Sequence, residues 1–366
     1  MLVPPMRPRA SAILPFCTVL CAVSLFSLTL ASGACSPNAV CKLAGPINDP
    51  SNRKLRRDIM SLGLGQFCEQ MTTRNAPLTL APDPSVIGRF FPQHCSQQVL
   101  DNGDLWVHFD GFGYAWTSLS RKVTFTSAAT IQYNQDFKCA DDNAIYAYFD
   151  TRSVSPPDFR LAQIEQPGAS LVQNWIAPYA DNFGQQMVKG ELGQGFTVIQ
   201  DTGGSTDFTV GHLPLGQRPS HPYQAHGSSR VTYESLRTTV HSSERDFIGP
   251  IKVDGSGRAL YLQMHLEGAP TANVFIVPKA EGDASLQLYF QYGTVGPLAY
   301  PPRFSDVVTL GVEYQRAVPI PAGMYYVVLD NTPPPGQPAP AAVPLFGVVA
   351  DTPAMVNYAI QIGDAP

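Results

Sequence analysis

A hydropathy period of two runs through the second half of this chain, and it limits the fold more than any other feature. Leu260, Leu262, Met264 and Leu266 alternate with Tyr261, Gln263, His265 and Glu267. Leu286, Leu288 and Phe290 alternate with Gln287, Tyr289 and Gln291, and Val356, Tyr358, Ile360 and Ile362 repeat the pattern near the end. Successive side chains of a strand point to opposite faces, so these runs predict strands with one buried and one wet face. Residues 324–329 are apolar on both faces and suit a central strand. Together with 273–277, 307–314 and 345–349, residues 231–366 supply about seven to nine strands, which predicts an all-β sandwich or jelly-roll-like C-terminal domain. The turn Asp254-Gly255-Ser256-Gly257 suits a hairpin.

The preceding region mixes two periods. Asp49-Pro50 offers an N-cap and a proline at the first helical position, and Leu55, Ile59 and Leu62 recur at helical spacing, predicting a helix to about Met71 that carries Cys68. Its run Arg53, Lys54, Arg56 and Arg57 is read as a solvated face, with contact to anionic lipid headgroups as the alternative. Residues 78–95 read as a loop, because Pro77, Pro82, Pro84 and Pro92 interrupt any ladder. Alternation at Leu105, Val107 and Phe109, then Val123 and Phe125, Ile131 and Tyr133, and Ile145, Ala147 and Phe149 predicts an antiparallel meander. Helical spacing at Leu171, Val172, Trp175 and Ile176, and at Phe183, Met187, Val188 and Leu192, predicts two helices to cover it. Segments 196–199 and 208–210 read as a hairpin about Gly203-Gly204. Residues 50–212 are thus expected to be an α+β domain, an antiparallel sheet with helices. The proline-punctuated stretch 213–230 is expected to link it to the β domain 231–366.

Residues 1–34 read as a signal peptide: Arg7 and Arg9 precede an uncharged apolar run from 10 to 31, followed by small residues. Ser32-Gly33-Ala34-Cys35 resembles the lipobox of bacterial lipoproteins, with Ser32 where leucine is usual. The resemblance implies cleavage before Cys35, lipid attachment to Cys35 and a membrane-anchored chain at the outer membrane or cell surface of a bacterium, with 35–49 as a polar tether. Ordinary cleavage after Ala34, giving a secreted soluble protein, and retention of 10–31 as an uncleaved span remain as alternatives.

Of seven cysteines, Cys17 and Cys21 lie in the export segment. With Cys35 acylated, Cys41, Cys68, Cys95 and Cys139 remain as disulfide candidates, and spacing alone leaves all three connectivities open. No C-x-x-C pair suggests zinc or redox chemistry. His212, His221 and His226 cluster near 213–230 at irregular spacing and read as solvated linker histidines. Asp201-Thr202-Gly203 has the composition of an aspartic-protease loop, but that chemistry needs two carboxylates sharing a proton, and only one copy occurs. There is no nucleophile elbow, metalloprotease helix or phosphate-binding loop, so no catalytic, metal or cofactor residue is assigned. A net charge of -5 without a basic stripe excludes a nucleic-acid partner.

Pro321-Ala322-Gly323-Met324-Tyr325-Tyr326, with the alternating end at 358–362, resembles the pre-peptidase C-terminal β-sandwich of secreted bacterial proteases. The resemblance implies a non-catalytic accessory module. The expected function is that of an envelope lipoprotein with a binding or structural role, its partner an envelope protein, glycan or lipid, with Tyr261 and Tyr289 as exposed aromatic contacts. A carrier of an apolar ligand in the α+β domain and an exported hydrolase are the alternatives.

Overall fold

The computed structural model describes residues 41–64, 67–73, 75–80, 83–116, 122–155, 158–164, 193–201, 206–219, 230–291, 297–332 and 352–366. Outside them lie the export segment, Cys35, the helices expected at 171–176 and 183–192, the turn Gly203-Gly204, His221, His226 and the strand expected at 345–349.

The chain is mostly β, with few helices. Three short ones come first: α1 (Ala44–Asn48), α2 (Arg53–Gly63) and α3 (Phe67–Thr72). The expected Asp49-Pro50 start is seen as a 3-10 turn, Pro50–Asn52, in which the Asp49 side chain accepts the Ser51 N–H. The strands of the first half are β1 (Ala76–Leu80), β2 (Asp83–Val99), β3 (Leu105–Trp116), β4 (Lys122–Cys139), β5 (Ile145–Val154), β6 (Asp158–Ile164), β7 (Phe196–Gln200) and β8 (Thr206–Val210). Those of the second half are β9 (Val231–Val240), β10 (Arg245–Val253), β11 (Arg258–Gly268), β12 (Thr271–Pro278), β13 (Phe304–Thr309), β14 (Tyr314–Ile320), β15 (Gly323–Asp330) and β16 (Ala354–Asp364), with helix α4 (Lys279–Gln291) after β12.

One sheet runs in the order β14-β11-β16-β9-β2-β3-β4-β5-β7-β8, with β1 on β2 and β6 on β4; the other is β10-β15-β12-β13. All pairings are antiparallel except β2 with β9, which meet at Val86 and Thr238. The first sheet therefore crosses from the 50–212 region into the 231–366 region. The meander β3-β4-β5 and the hairpin β7-β8 match their alternation, and β15 lies centrally between β10 and β12, as its two-sided apolarity requires.

Three expectations are corrected. Within the proline-rich stretch 78–95, residues 78–80 and 83–95 are strand: β1 uses only β2 as a partner, so Pro77 occupies an edge, and Pro92 sits at a register shift against β3, where a missing N–H breaks no regular ladder. Residues 286–290 lie in helix α4, whose buried residues Gly282, Ser285, Leu286 and Tyr289 recur at helical spacing. The turn 254–257 joins β10 in one sheet to β11 in the other and so closes no hairpin.

Two main cores follow. Leu260, Leu262 and Met264 of β11 and Val356, Tyr358 and Ile360 of β16 share one cluster with Phe247, Val274, Ile276, Val327 and Leu329 of the four-stranded sheet. Met60 and Leu64 cover Leu105, Ile131, Tyr133, Phe137 and Phe149 in the other. Burying a side chain of this kind contributes about 1.5–3 kcal/mol, so each core offsets much of the ordering entropy of its strands.

Candidate functional site

The chain enters its folded body through a clamp. Cys41 is bonded to Cys139 and Cys68 to Cys95, which fixes the pairing that spacing left open. Cys41 and Cys139 are buried at the end of β4. The Asn48 side chain makes two hydrogen bonds to the Cys139 backbone, donating to its carbonyl at 2.9 Å and accepting its N–H at 2.9 Å. Residues 41–49 are therefore packed structure and not tether, because a disulfide and a paired amide hold them against β4.

The basic run is also corrected. Arg56 is buried, and its Nε and Nη2 donate to Asp136 at 2.8 and 3.1 Å. Arg57 donates to Asp104 at 2.6 Å. Lys54 pairs with Asp58 in solvent at 3.0 Å, and Arg53 reaches Asp136 at 3.4 Å. Two of the four cations thus turn inward, held by the half-buried Asp136 and the buried Asp104.

A second polar cluster joins the two halves. Arg89, on β2, has no exposed surface; its Nε and Nη2 donate to the equally buried Asp246 at 2.6 and 3.0 Å, Nη2 also to the Tyr358 hydroxyl at 2.9 Å, and Nη1 to Asn75 at 3.0 Å. Glu234 accepts from Arg89 Nη1 at 3.4 Å, lies 3.1 Å from Nη2 as an ion pair, and accepts from the Tyr358 hydroxyl. Tyr114 donates to Asp246 at 2.9 Å and accepts the Phe247 N–H at 2.8 Å. Burial disfavours the Arg89 charge, but Asp246 and Glu234 outweigh it and raise its pKa. Burial first, and then the neighbouring carboxylates, push the Tyr114 and Tyr358 phenols far above their usual value. Beside this cluster Lys122 lies 3.7 Å from Glu244 and 3.7 Å above the Tyr289 ring, and Tyr289 donates to Glu244. Arg89 and Asp246 are saturated by protein partners and closed to solvent, so the arrangement joins elements and cannot receive a substrate.

The remaining sequence candidates are dispersed. His212 contacts Asp150 at 2.8 Å and stacks on Tyr148. Asp201 pairs with Arg218, which also reaches Asp142 at 3.0 Å and Asp207 at 3.4 Å; Asp201 is thus engaged by a cation and does not share a proton with a second carboxyl. The Ala144 N–H, followed by Arg218, holds the Asp142 carboxyl below its ordinary value. Among the described residues no group of His, Cys, Asp and Glu is arranged to hold a metal ion. Tyr289, expected on a wet face, is 3% exposed, and Tyr261 lies under Arg230 with its hydroxyl on the Asp364 carbonyl.

A cleft of about 140 Å³ lies between Phe91, Phe112, Pro250, Leu286 and the Lys279–Asp283 pair, to which Tyr326 donates at 2.8 Å. It is smaller than the roughly 300–1,000 Å³ of ordinary small-molecule sites. Sequence reasoning passed over the Arg89 cluster, whose local signal is a lone charge inside an apolar strand, as in Ile87-Gly88-Arg89-Phe90-Phe91. No protein-family model matches the chain, and no curated protein is similar to it.

Proposed function

We propose that the chain is an exported bacterial lipoprotein, anchored through Cys35, whose body binds a partner in the cell envelope and carries no catalytic activity. The observation that supports this is the cysteine pairing. Cys41, Cys68, Cys95 and Cys139 are satisfied by one another, so none of them is available to Cys35. After cleavage before Cys35 that thiol has no partner within the mature chain, and acylation accounts for the odd cysteine of an exported protein.

The second half supports a binding role. We read its two four-strand layers, β14-β11-β16-β9 and β10-β15-β12-β13, with their shared core, as a β-sandwich. Its central β15 begins at Gly323, within the Pro-Ala-Gly-Met-Tyr-Tyr segment that resembles accessory modules of secreted proteases. The partner classes are an envelope protein, a glycan or a lipid.

Intact mass of the mature chain, with membrane fractionation, tests the anchor. Diacylglycerol-sized mass on Cys35 and loss of both that mass and membrane retention in Cys35→Ser are expected. A wild-type chain beginning at an unmodified Cys35 in the soluble fraction would overturn the anchor. Turnover of an ester, glycoside or peptide panel by the purified chain would overturn the non-catalytic role.

A further inference from the structure

The lipid-anchor reading fixes one point of the molecule, and the fold then limits where the rest can be. Five residues separate Cys35 from Cys41, a reach of at most about 22 Å. Cys41 is fixed to Cys139, the last residue of β4. This 18-residue strand spans about 55–60 Å at its usual rise. It is paired along its whole length, with β3 over 122–133 and with β5 over 131–139, so it acts as a stiff beam. At its far end Lys122 meets Glu244 of the second half.

Beyond that point β9 continues outward. It runs parallel to β2 at Val86 and Thr238, and Trp116 at the end of β3 meets His241 just past the end of β9. The stretch of β9 back to Val231 adds about 20–25 Å in the direction away from Cys139. Val231 pairs with Ile362 and Arg258 with Asp364, which places the turn 254–257 at this outer end.

Exposed apolar side chains occur in both halves, and those of the second, Leu288, Tyr300, Val307, Leu310 and Val312, lie beyond the reach of a membrane held at Cys35. In the first half the large exposed ones among the described residues are Leu43 (59%), Leu55 (59%), Val99 (38%) and Leu215 (42%). Leu43, Leu55 and Leu215 lie at the Cys139 end, whereas Val99 is level with Tyr133, six residues short of it. Leu43 follows Cys41, and Leu55 precedes Arg56, which binds Asp136. Val99 ends β2. Leu215 precedes Gln217 and Arg218, which contact Tyr146 and Asp142. Among the described residues of the first half none lies along β4 between Lys122 and Tyr133.

We infer that this end of the first half, with Leu43, Leu55 and Leu215, rests on the lipid bilayer, and that β2, β3 and β4 form a spacer: helix α4 of the second half first meets it at Phe112, level with Thr126, about 40 Å along β4 from Cys139. The inference rests on the lipoprotein reading. Apolar side chains of this kind gain by entering the headgroup region, and the short leash supplies them with a high local concentration of membrane. The polar turn Asp141-Asp142-Asn143 sits beside them at the same end.

The test uses the full acylated chain in phosphatidylethanolamine/phosphatidylglycerol vesicles carrying headgroup acceptors. One donor fluorophore is placed, through an unnatural amino acid, at exposed Asp141 or at exposed Ser256. Several-fold higher energy transfer from 141 than from 256 is expected. In Leu43→Asp/Leu55→Asp, still acylated, the difference shrinks as the body tips. Equal transfer from both positions in an acylated, vesicle-bound wild type overturns the spacer and leaves the anchor standing. A chain that is neither acylated nor vesicle-bound overturns both.

Discussion

Replacing Arg89 by methionine removes the cation at the centre of the joint between the halves. Its guanidinium makes bonds to Asp246, Tyr358, Asn75 and Glu234, and neither Arg89 nor Asp246 has exposed surface. Breaking one side of a buried ion pair typically costs about 3–5 kcal/mol, since the remaining charge has lost its compensation. A single domain is stable by only about 5–15 kcal/mol, so Arg89→Met consumes about a fifth or more of that reserve. Urea unfolding followed by tryptophan fluorescence reads the loss, with Trp116, 2% exposed and packed on Tyr114, reporting on the joint itself. Asp246→Val alone carries a similar penalty. The double variant recovers at least half of the summed loss, because no fully buried charge is left unpaired; Glu234, partly exposed, keeps its bond from Tyr358. Single variants that each cost less than about 1 kcal/mol, or a double variant whose cost is the sum of the two, would show that the halves are held by something other than this pair.

Helix α4 gives a sharper local contrast. Leu286→Ala is expected to cost about 2–5 kcal/mol and Leu288→Ala less than about 0.5, since only the first is buried, whereas a strand through 286–290 would make the two equivalent. Gly282→Ala should destabilise by about 1–3 kcal/mol, because a Cβ there would lie 2.3 Å from the Tyr326 ring; an unchanged urea midpoint would mean that the ring moves aside freely. Burial opposes the Asp306 charge, but the Val307 N–H, Tyr314 and Arg316 together hold its carboxyl below the ordinary 3.8. Its stabilising contribution is therefore complete above that value and lost as pH falls through the lowered one, so Asp306→Asn should lower the urea midpoint at pH 7 and leave it unchanged near pH 2. Cys41→Ser/Cys139→Ser opens a closure of sequence separation 98 and should cost about 4–5 kcal/mol by chain entropy, against about 3.5 for Cys68→Ser/Cys95→Ser at separation 27.

Strands with one wet face were legible from residue order alone. β11 and β16 alternate because their Leu260–Leu266 and Val356–Ile360 faces share a core while Tyr261, His265 and Asn357 stay partly exposed. Helix α4 was misread because Leu286, Leu288 and Phe290 satisfy a period of two over five residues, while two of its four buried positions are Gly282 and Ser285, which carry almost no hydropathy signal. The prolines around 78–95 misled for a different reason. Pro77 lies on a strand bonded on one side and Pro92 at a register shift, and where edges and bulges fall is a property of the whole sheet. The number of disulfides could be counted, but their partners could not. Likewise Arg89 and Asp246 are 157 residues apart, and no local pattern marks charges that neutralise each other across such a distance.

The position of β16 bears on when this protein can fold. The last strand lies between β9 and β11, bonded to both over most of its length. Until residues 354–364 have arrived, β9 and β11 cannot come together, and each has an open row of backbone donors and acceptors. The second half therefore cannot assemble progressively as it emerges from a ribosome or a membrane pore. A second half built this way stays open until residues 354–364 are released, which suits passage through a channel that admits only unfolded polypeptide. It also makes the interval just after release the time when aggregation and proteolysis compete most strongly with folding.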